Sequence, residues 1–98
     1  MRMKELSAEE VAHALTTLDG WSGDTTGLKR KFEFKDFRAA MAFMNACVEG
    51  IDKLNHHPDW RNVCNTIDVT LNTHDLGGKV SEKDVEVARL LNEVMHNG

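Results

Sequence analysis

Asp36–Leu54 reads DFRAAMAFMNACVEGIDKL. Phe37, Ala40, Met41, Met44, Cys47, Val48, Ile51 and Leu54 recur in it at three- and four-residue steps, the spacing of one face of an α-helix. It is the longest periodic segment of the chain and stands between two stretches of period-two patterning, and that placement decides the fold. Its other side carries Ala39, Ala42 and Ala46, which either admit a second helix closely or are good helix formers at exposed positions.

Upstream, Leu28, Arg30, Phe32 and Phe34 share one parity, and Ser22-Gly23-Asp24 and Thr25-Thr26-Gly27 are rich in turn residues. Trp21–Phe34 is therefore expected to form a short strand, a turn and a longer strand. Before it, Ser7 and Glu10 form a capping box followed by Val11, Ala14, Leu15 and Leu18, so a first helix is predicted from Ser7 to Leu18, stopped by Asp19-Gly20. His13 falls off that stripe and faces solvent. Downstream, strands are predicted over Trp60–Cys64 and Ile67–His74 about a turn at Asn65-Thr66. Ile67, Val69, Leu71 and Thr73 alternate with Asp68, Thr70, Asn72 and His74, giving one buried and one polar face. Gly77-Gly78 breaks the chain. Ser81 with Asp84 forms a second capping box, and Val87, Leu90, Leu91 and Val94 mark a final helix.

The order is α-β-β-α-β-β-α with short connections, which favour antiparallel hairpins because a parallel pair needs a crossover of about a dozen residues or more. The expected fold is α+β, a two-layer sandwich with a four-stranded antiparallel sheet and its helices on one face.

A chain of 98 residues with 41% apolar composition fits a single domain over residues 1–98. So short a chain buries only ~60–68% of its unfolded surface. Self-association as a homodimer or homotetramer, covering exposed sheet edges, is the corresponding expectation. Twelve Lys and Arg against sixteen Asp and Glu give a net charge of −4, and the one basic run is Lys29-Arg30-Lys31, read as the solvated start of a strand. Direct nucleic-acid binding needs a concentrated positive face and is not expected. Cys47 and Cys64 fit neither a disulfide scaffold nor a CxxC pair, which points to a reducing, cytoplasmic setting. Cys64, at the parity of Trp60 and Asn62, reads as a small buried thiol. The opening MRMKELSAEEV is charged and no run approaches ~18 apolar residues, so neither an export signal nor a membrane span is expected.

Of five histidines, His56, His57 and His74 sit close in sequence at the ends of predicted elements, where a scaffold can hold reactive groups at a surface. Pro58 disfavours helical backbone at His57, so the adjacent imidazoles should diverge toward a cleft. Imidazole gives and takes protons near neutrality, and two or three around one pocket suggest proton-transfer catalysis. Spacing alone fits equally well with dipole partners at a helix end or with surface residues.

The segments Asp52-Lys53-Leu54-Asn55-His56-His57-Pro58-Asp59-Trp60, Thr73-His74 and Ser81-Glu82-Lys83-Asp84 closely resemble the signature of the pterin-4a-carbinolamine dehydratase family. Gly20-Trp21 and Phe32-x-Phe34-Lys35-Asp36-Phe37 extend the resemblance over nearly the whole chain. The resemblance implies dehydration of a 4a-hydroxytetrahydropterin to the quinonoid dihydropterin, in tetrahydrobiopterin recycling, with no metal and no cofactor. It implies that His56, His57 and His74 are catalytic, with His56 and His74 as acids addressing the hydroxyl and His57 as a substrate binder with some base character. It also implies that Asp52, Pro58, Trp60 and Asp84 line the pocket or orient the imidazoles. Its implied partners are the pterin substrate and an aromatic amino acid hydroxylase system, with no membrane. Cys64 departs from the family pattern, which usually has an aromatic residue there.

Each of these residues has a plainer reading. Asp84 completes a helix cap, Trp60 fits an ordinary core position, and Asp52 near a helix end fits a solvated carboxylate. Two alternatives compete at the level of function. One is a metal-binding protein built on two histidines and a carboxylate, although no HxH or HxxxH spacing occurs. The other is a non-catalytic dimerisation module, because members of the resembled family also serve as dimerisation cofactors of a homeodomain transcription factor.

Overall fold

The computed structural model describes residues 3–97; Met1 and Arg2 of the charged opening segment, and Gly98, lie outside them. The elements are α1 (Ala8–Leu15), β1 (Ser22–Asp24), β2 (Gly27–Glu33), α2 (Phe37–Leu54), β3 (Asp59–Val63), β4 (Thr66–Leu71) and α3 (Glu82–Asn97), with a 3-10 turn at His74–Leu76. This is the expected α+β order. The strands are arranged β1-β2-β4-β3, every neighbouring pair antiparallel, so two hairpins meet through a central β2–β4 ladder.

Register explains the two faces. Leu28 pairs with Leu71, Arg30 with Val69 and Phe32 with Ile67, while Trp60 and Asn62 of β3 stand opposite Val69 and Ile67. Directly opposed residues share a face. Leu28, Phe32, Ile67, Val69 and Leu71 are buried there in one core cluster with Ala40, Phe43, Cys47 and Ile51 of α2 and Val87, Ala88 and Leu91 of α3. On the other face Lys31 and Arg61 both stand opposite Asp68.

The capping box of α1 is complete, with the Ser7 Oγ accepting from the Glu10 N–H and the Glu10 carboxylate accepting from the Ser7 N–H. The α-helix stops at Leu15, short of the expected Leu18. Thr16 and Thr17 hydroxyls donate to the carbonyls of His13 and Ala14, and the backbone tightens into i→i+3 bonds that carry Leu18 into the core.

The buried stripe of α2 is narrower and rotated relative to the expected one. Phe43 is buried, its ring centroid 4.9 Å from Phe32 and 5.2 Å from Phe34, whereas Phe37, Met41 and Val48 are exposed. The periodicity marks an apolar band wider than the sheet and α3 can cover, and the aromatic contacts with β2 choose which part goes inside. Ala39, Ala42 and Ala46 face neither a close helix nor bare solvent alone. With Phe34, Phe43, Val94 and Met95 they line an apolar hollow of about 410 Å³.

Two further expectations are corrected. Arg30 is no solvated charge: it lies on the helix-facing side with its guanidinium 4.2 Å over the Phe32 ring, donating to the Asp19 carbonyl and to Asn92 Oδ1. Its burial pulls the guanidinium below its ordinary value, against a smaller opposing pull from Asp19. Cys64 is neither a strand residue nor buried. It occupies the β3–β4 turn in the left-handed region (φ 54) and is exposed.

Candidate active site

Asn55 ends α2 in the left-handed conformation (φ 52), its N–H bonded to the Asp52 carbonyl at 3.1 Å. The chain thus leaves the helix ahead of Pro58, because asparagine tolerates a conformation that most side chains avoid. His56 and His57 follow in the link to β3.

The second half of the site comes from the segment after β4, which stops at Leu71 instead of running to His74. Thr73 forms an isolated bridge with Lys79, and Gly77 and Gly78 at φ 70 and 85 let the chain double back between them. That return brings Ser81 beside Thr73, their hydroxyl oxygens 2.6 Å apart. Asp84, in the first turn of α3 and fully buried, sits beneath both. Its Oδ2 accepts from the Thr73 hydroxyl and from the Ser81 N–H, each at 2.8 Å. The expected cap is therefore half-formed: the carboxylate reaches back to Ser81, but the Ser81 hydroxyl turns to Thr73, and the Asp84 N–H bonds to the Ser81 carbonyl.

Asp84 Oδ1 meets His56 Nε2 at 2.6 Å, with the His56 side chain 12% exposed. A buried carboxylate is costly unless its lone pairs are met, and here three donors meet them. Cap and histidine partner, the two readings of Asp84, coexist through its two oxygens. His57 lies on the exposed side, its Nε2 3.3 Å from Asp52 Oδ1. His74 is exposed at the first position of the 3-10 turn, next in the chain to Thr73. Trp60 is half-buried against the core, and Pro58 is half-buried just before β3.

His56, Asp84, Thr73 and Ser81 thus share one buried network; His57 pairs with Asp52 on the exposed side, and exposed His74 is tied to the network only as the chain neighbour of Thr73. Cys64 lies at the far end of the β3–β4 hairpin, separated from Pro58 by the whole of β3, about 20 Å of extended chain. The larger hollows also lie elsewhere, one of about 430 Å³ between α1 and α3 and the other along the alanines of α2, and the three histidines line neither. Among the described residues no group of three or more His, Cys, Asp and Glu side chains is placed to hold a metal ion. No described helix is long and apolar enough to cross a membrane.

Thr73 and Ser81 are the polar residues of this network to which the sequence reading assigned no role in orienting a histidine. The signal was present in Thr73, a hydroxyl at a core-parity position, since a buried hydroxyl needs a partner.

Comparison with known proteins identifies the family. The sequence pattern of the family described as pterin 4 alpha carbinolamine dehydratase matches residues 4–94. A protein of Mesorhizobium japonicum named "Putative pterin-4-alpha-carbinolamine dehydratase" is 45% identical over 94 residues, covering 94% of this chain and 95% of its own. One of Opitutus terrae with the same name is 40% identical over 89 residues, covering 91% and 92%. The crystal structure of a transcriptional coactivator/pterin dehydratase from Brucella melitensis superposes with a TM-score of 0.87 at 41% identity, over 93% of this chain and 98% of that one. The family match over residues 4–94, the relatives at 40–45% identity and the solved structure of the same fold place this chain in the pterin 4 alpha carbinolamine dehydratase family.

Proposed function

We propose that the protein, acting as one domain, dehydrates a 4a-hydroxytetrahydropterin to the quinonoid dihydropterin in tetrahydrobiopterin recycling. The observation that carries this reading is the 2.6 Å contact between His56 and the buried, fully satisfied Asp84. In the reaction the N5 lone pair forms a double bond to C4a, the C4a–O bond breaks, and the oxygen leaves as water after taking a proton. The N5 proton passes to a base. His56 and His74 serve as acids toward the leaving oxygen, and His57, steered by Asp52, binds substrate and accepts the proton. Half-buried Pro58 and Trp60 are assigned to substrate binding. One positioned acid or base contributes ~10²–10⁴-fold, which suits a reaction needing only proton transfers.

The setting that accords with this chemistry is cytoplasmic, downstream of an aromatic amino acid hydroxylase that forms the carbinolamine, with the chain self-associated as a dimer or tetramer. Stopped-flow dehydration of chemically prepared carbinolamine tests the reading. His56→Ala and His74→Ala should each lose dehydratase rate while keeping fold and oligomeric state; wild-type turnover in both overturns it.

A second reading, an interaction module, is favoured by the exposed Phe37, Met41 and Val48 of α2. Loss of partner binding on substituting α2 residues, with dehydratase activity intact, would identify it.

A further inference from the structure

The hydrogen-bond network around His56 has a direction, which follows from counting its protons. A carboxylate only accepts, and each hydroxyl has one proton to give. Thr73 gives its proton to Asp84 Oδ2 at 2.8 Å, so across the 2.6 Å contact Thr73 accepts and Ser81 donates. The other neighbours of the Ser81 hydroxyl, Asp84 Oδ2 and Met3 Sδ, are both farther away at 3.5 Å. With the Ser81 N–H also donating to Oδ2, that oxygen is saturated and turned away from the histidine. Only Oδ1 faces His56, 2.6 Å from Nε2, and an ionised carboxylate there can only accept, so the contact calls for a proton on Nε2. Among the described residues, Nδ1 of His56 has no hydrogen-bond partner.

We propose that Thr73 and Ser81 are positioning residues which, through Asp84, hold His56 in its Nε2–H tautomer and leave Nδ1 as the ring atom that exchanges protons with substrate. The proposal rests on the dehydratase reading for what Nδ1 does, but not for which nitrogen is held. A ring nitrogen's tautomer is set by the hydrogen bond its other nitrogen makes. At Asp84→Asn the donors from Thr73 and Ser81 select the amide oxygen for the Oδ2 position. The amide NH₂ then faces Nε2, which must accept, and the proton moves to Nδ1.

Long-range ¹H–¹⁵N correlation spectra of ¹⁵N-histidine-labelled protein, assigned with His56→Ala, read the tautomer without substrate. The expected result is Nε2–H for neutral His56 in the wild type and Nδ1–H in Asp84→Asn. Nδ1–H in the wild type, or an unchanged tautomer in Asp84→Asn, overturns the proposal. In the dehydratase assay Thr73→Val should lower kcat about 10–100-fold with KM unchanged, and Thr73→Ser should restore it; wild-type kcat in a folded Thr73→Val also overturns it. Should Thr73→Val not fold, the wild-type and Asp84→Asn spectra still decide. Wild-type turnover in His56→Ala and His74→Ala with the expected tautomers would remove the dehydratase reading and leave the proton assignment standing.

Discussion

Arg30 and Asn92, sixty-two positions apart, meet at 2.6 Å between Nη1 and Oδ1 and tie β2 to α3. The same Asn92 oxygen accepts from Trp21 Nε1 at 2.8 Å, and its amide donates to the Asp19 carbonyl at 3.0 Å. One side chain thus anchors the turn after α1, the start of β1 and the central ladder. Asn92→Leu leaves the indole N–H and part of the guanidinium without an acceptor, and is expected to cost about 2–3 kcal/mol in urea denaturation. Arg30→Lys should also destabilise, because an ammonium cannot stack on Phe32 while reaching both acceptors.

Asp84 and Asp52 each hold a histidine, yet their removal should differ sharply. Asp84→Ala leaves donors from Thr73, Ser81 and His56 buried around an absent acceptor and should cost about 3 kcal/mol or more. Asp52 and His57 are both largely exposed, so Asp52→Ala should cost less than about 1 kcal/mol. Paired chemical denaturation curves check the contrast, and comparable losses would contradict the burial argument.

The two thiols should separate cleanly. Cys47 is fully buried, and burial pushes its thiol from 9.0 up to about 12, whereas Cys64 is exposed in its turn. A disulfide-exchange reagent should titrate Cys64 in the native protein and Cys47 only in denaturant. The unfolded chain ionises Cys47 near 9 and the folded chain near 12, so above pH 9 the unfolded state binds fewer protons. Stability from this group is complete below pH 9 and falls toward pH 12 by at most about 1.4 kcal/mol per pH unit. Cys47→Ala should flatten that part of the alkaline stability profile.

Met41 and Val48 lie exposed on α2, and self-association that extends from the sheet edges to this helix face would remove them from water. A Met41→Glu, Val48→Glu double variant should therefore give a smaller mass by light scattering than the wild type, with unchanged helical circular dichroism. A monomeric wild type at micromolar concentration would contradict the expected oligomer.

Period and punctuation in the sequence determined the element order, the antiparallel sheet and the inward parity of Ile67, Val69 and Leu71, because alternation along a strand and recurrence along a helix are local consequences of backbone geometry. They also marked His56, His57 and His74 as residues at element ends. The tertiary structure alone decided which part of the wide apolar band on α2 went inside, since that depended on where Phe32 and Phe34 stood when Phe43 met them. It alone decided that Arg30 stacks on Phe32, and that Asp84 serves a cap with one oxygen and a histidine with the other. Contacts between residues distant in sequence leave no period to read; they appear when the chain doubles back and buried polar atoms must find partners.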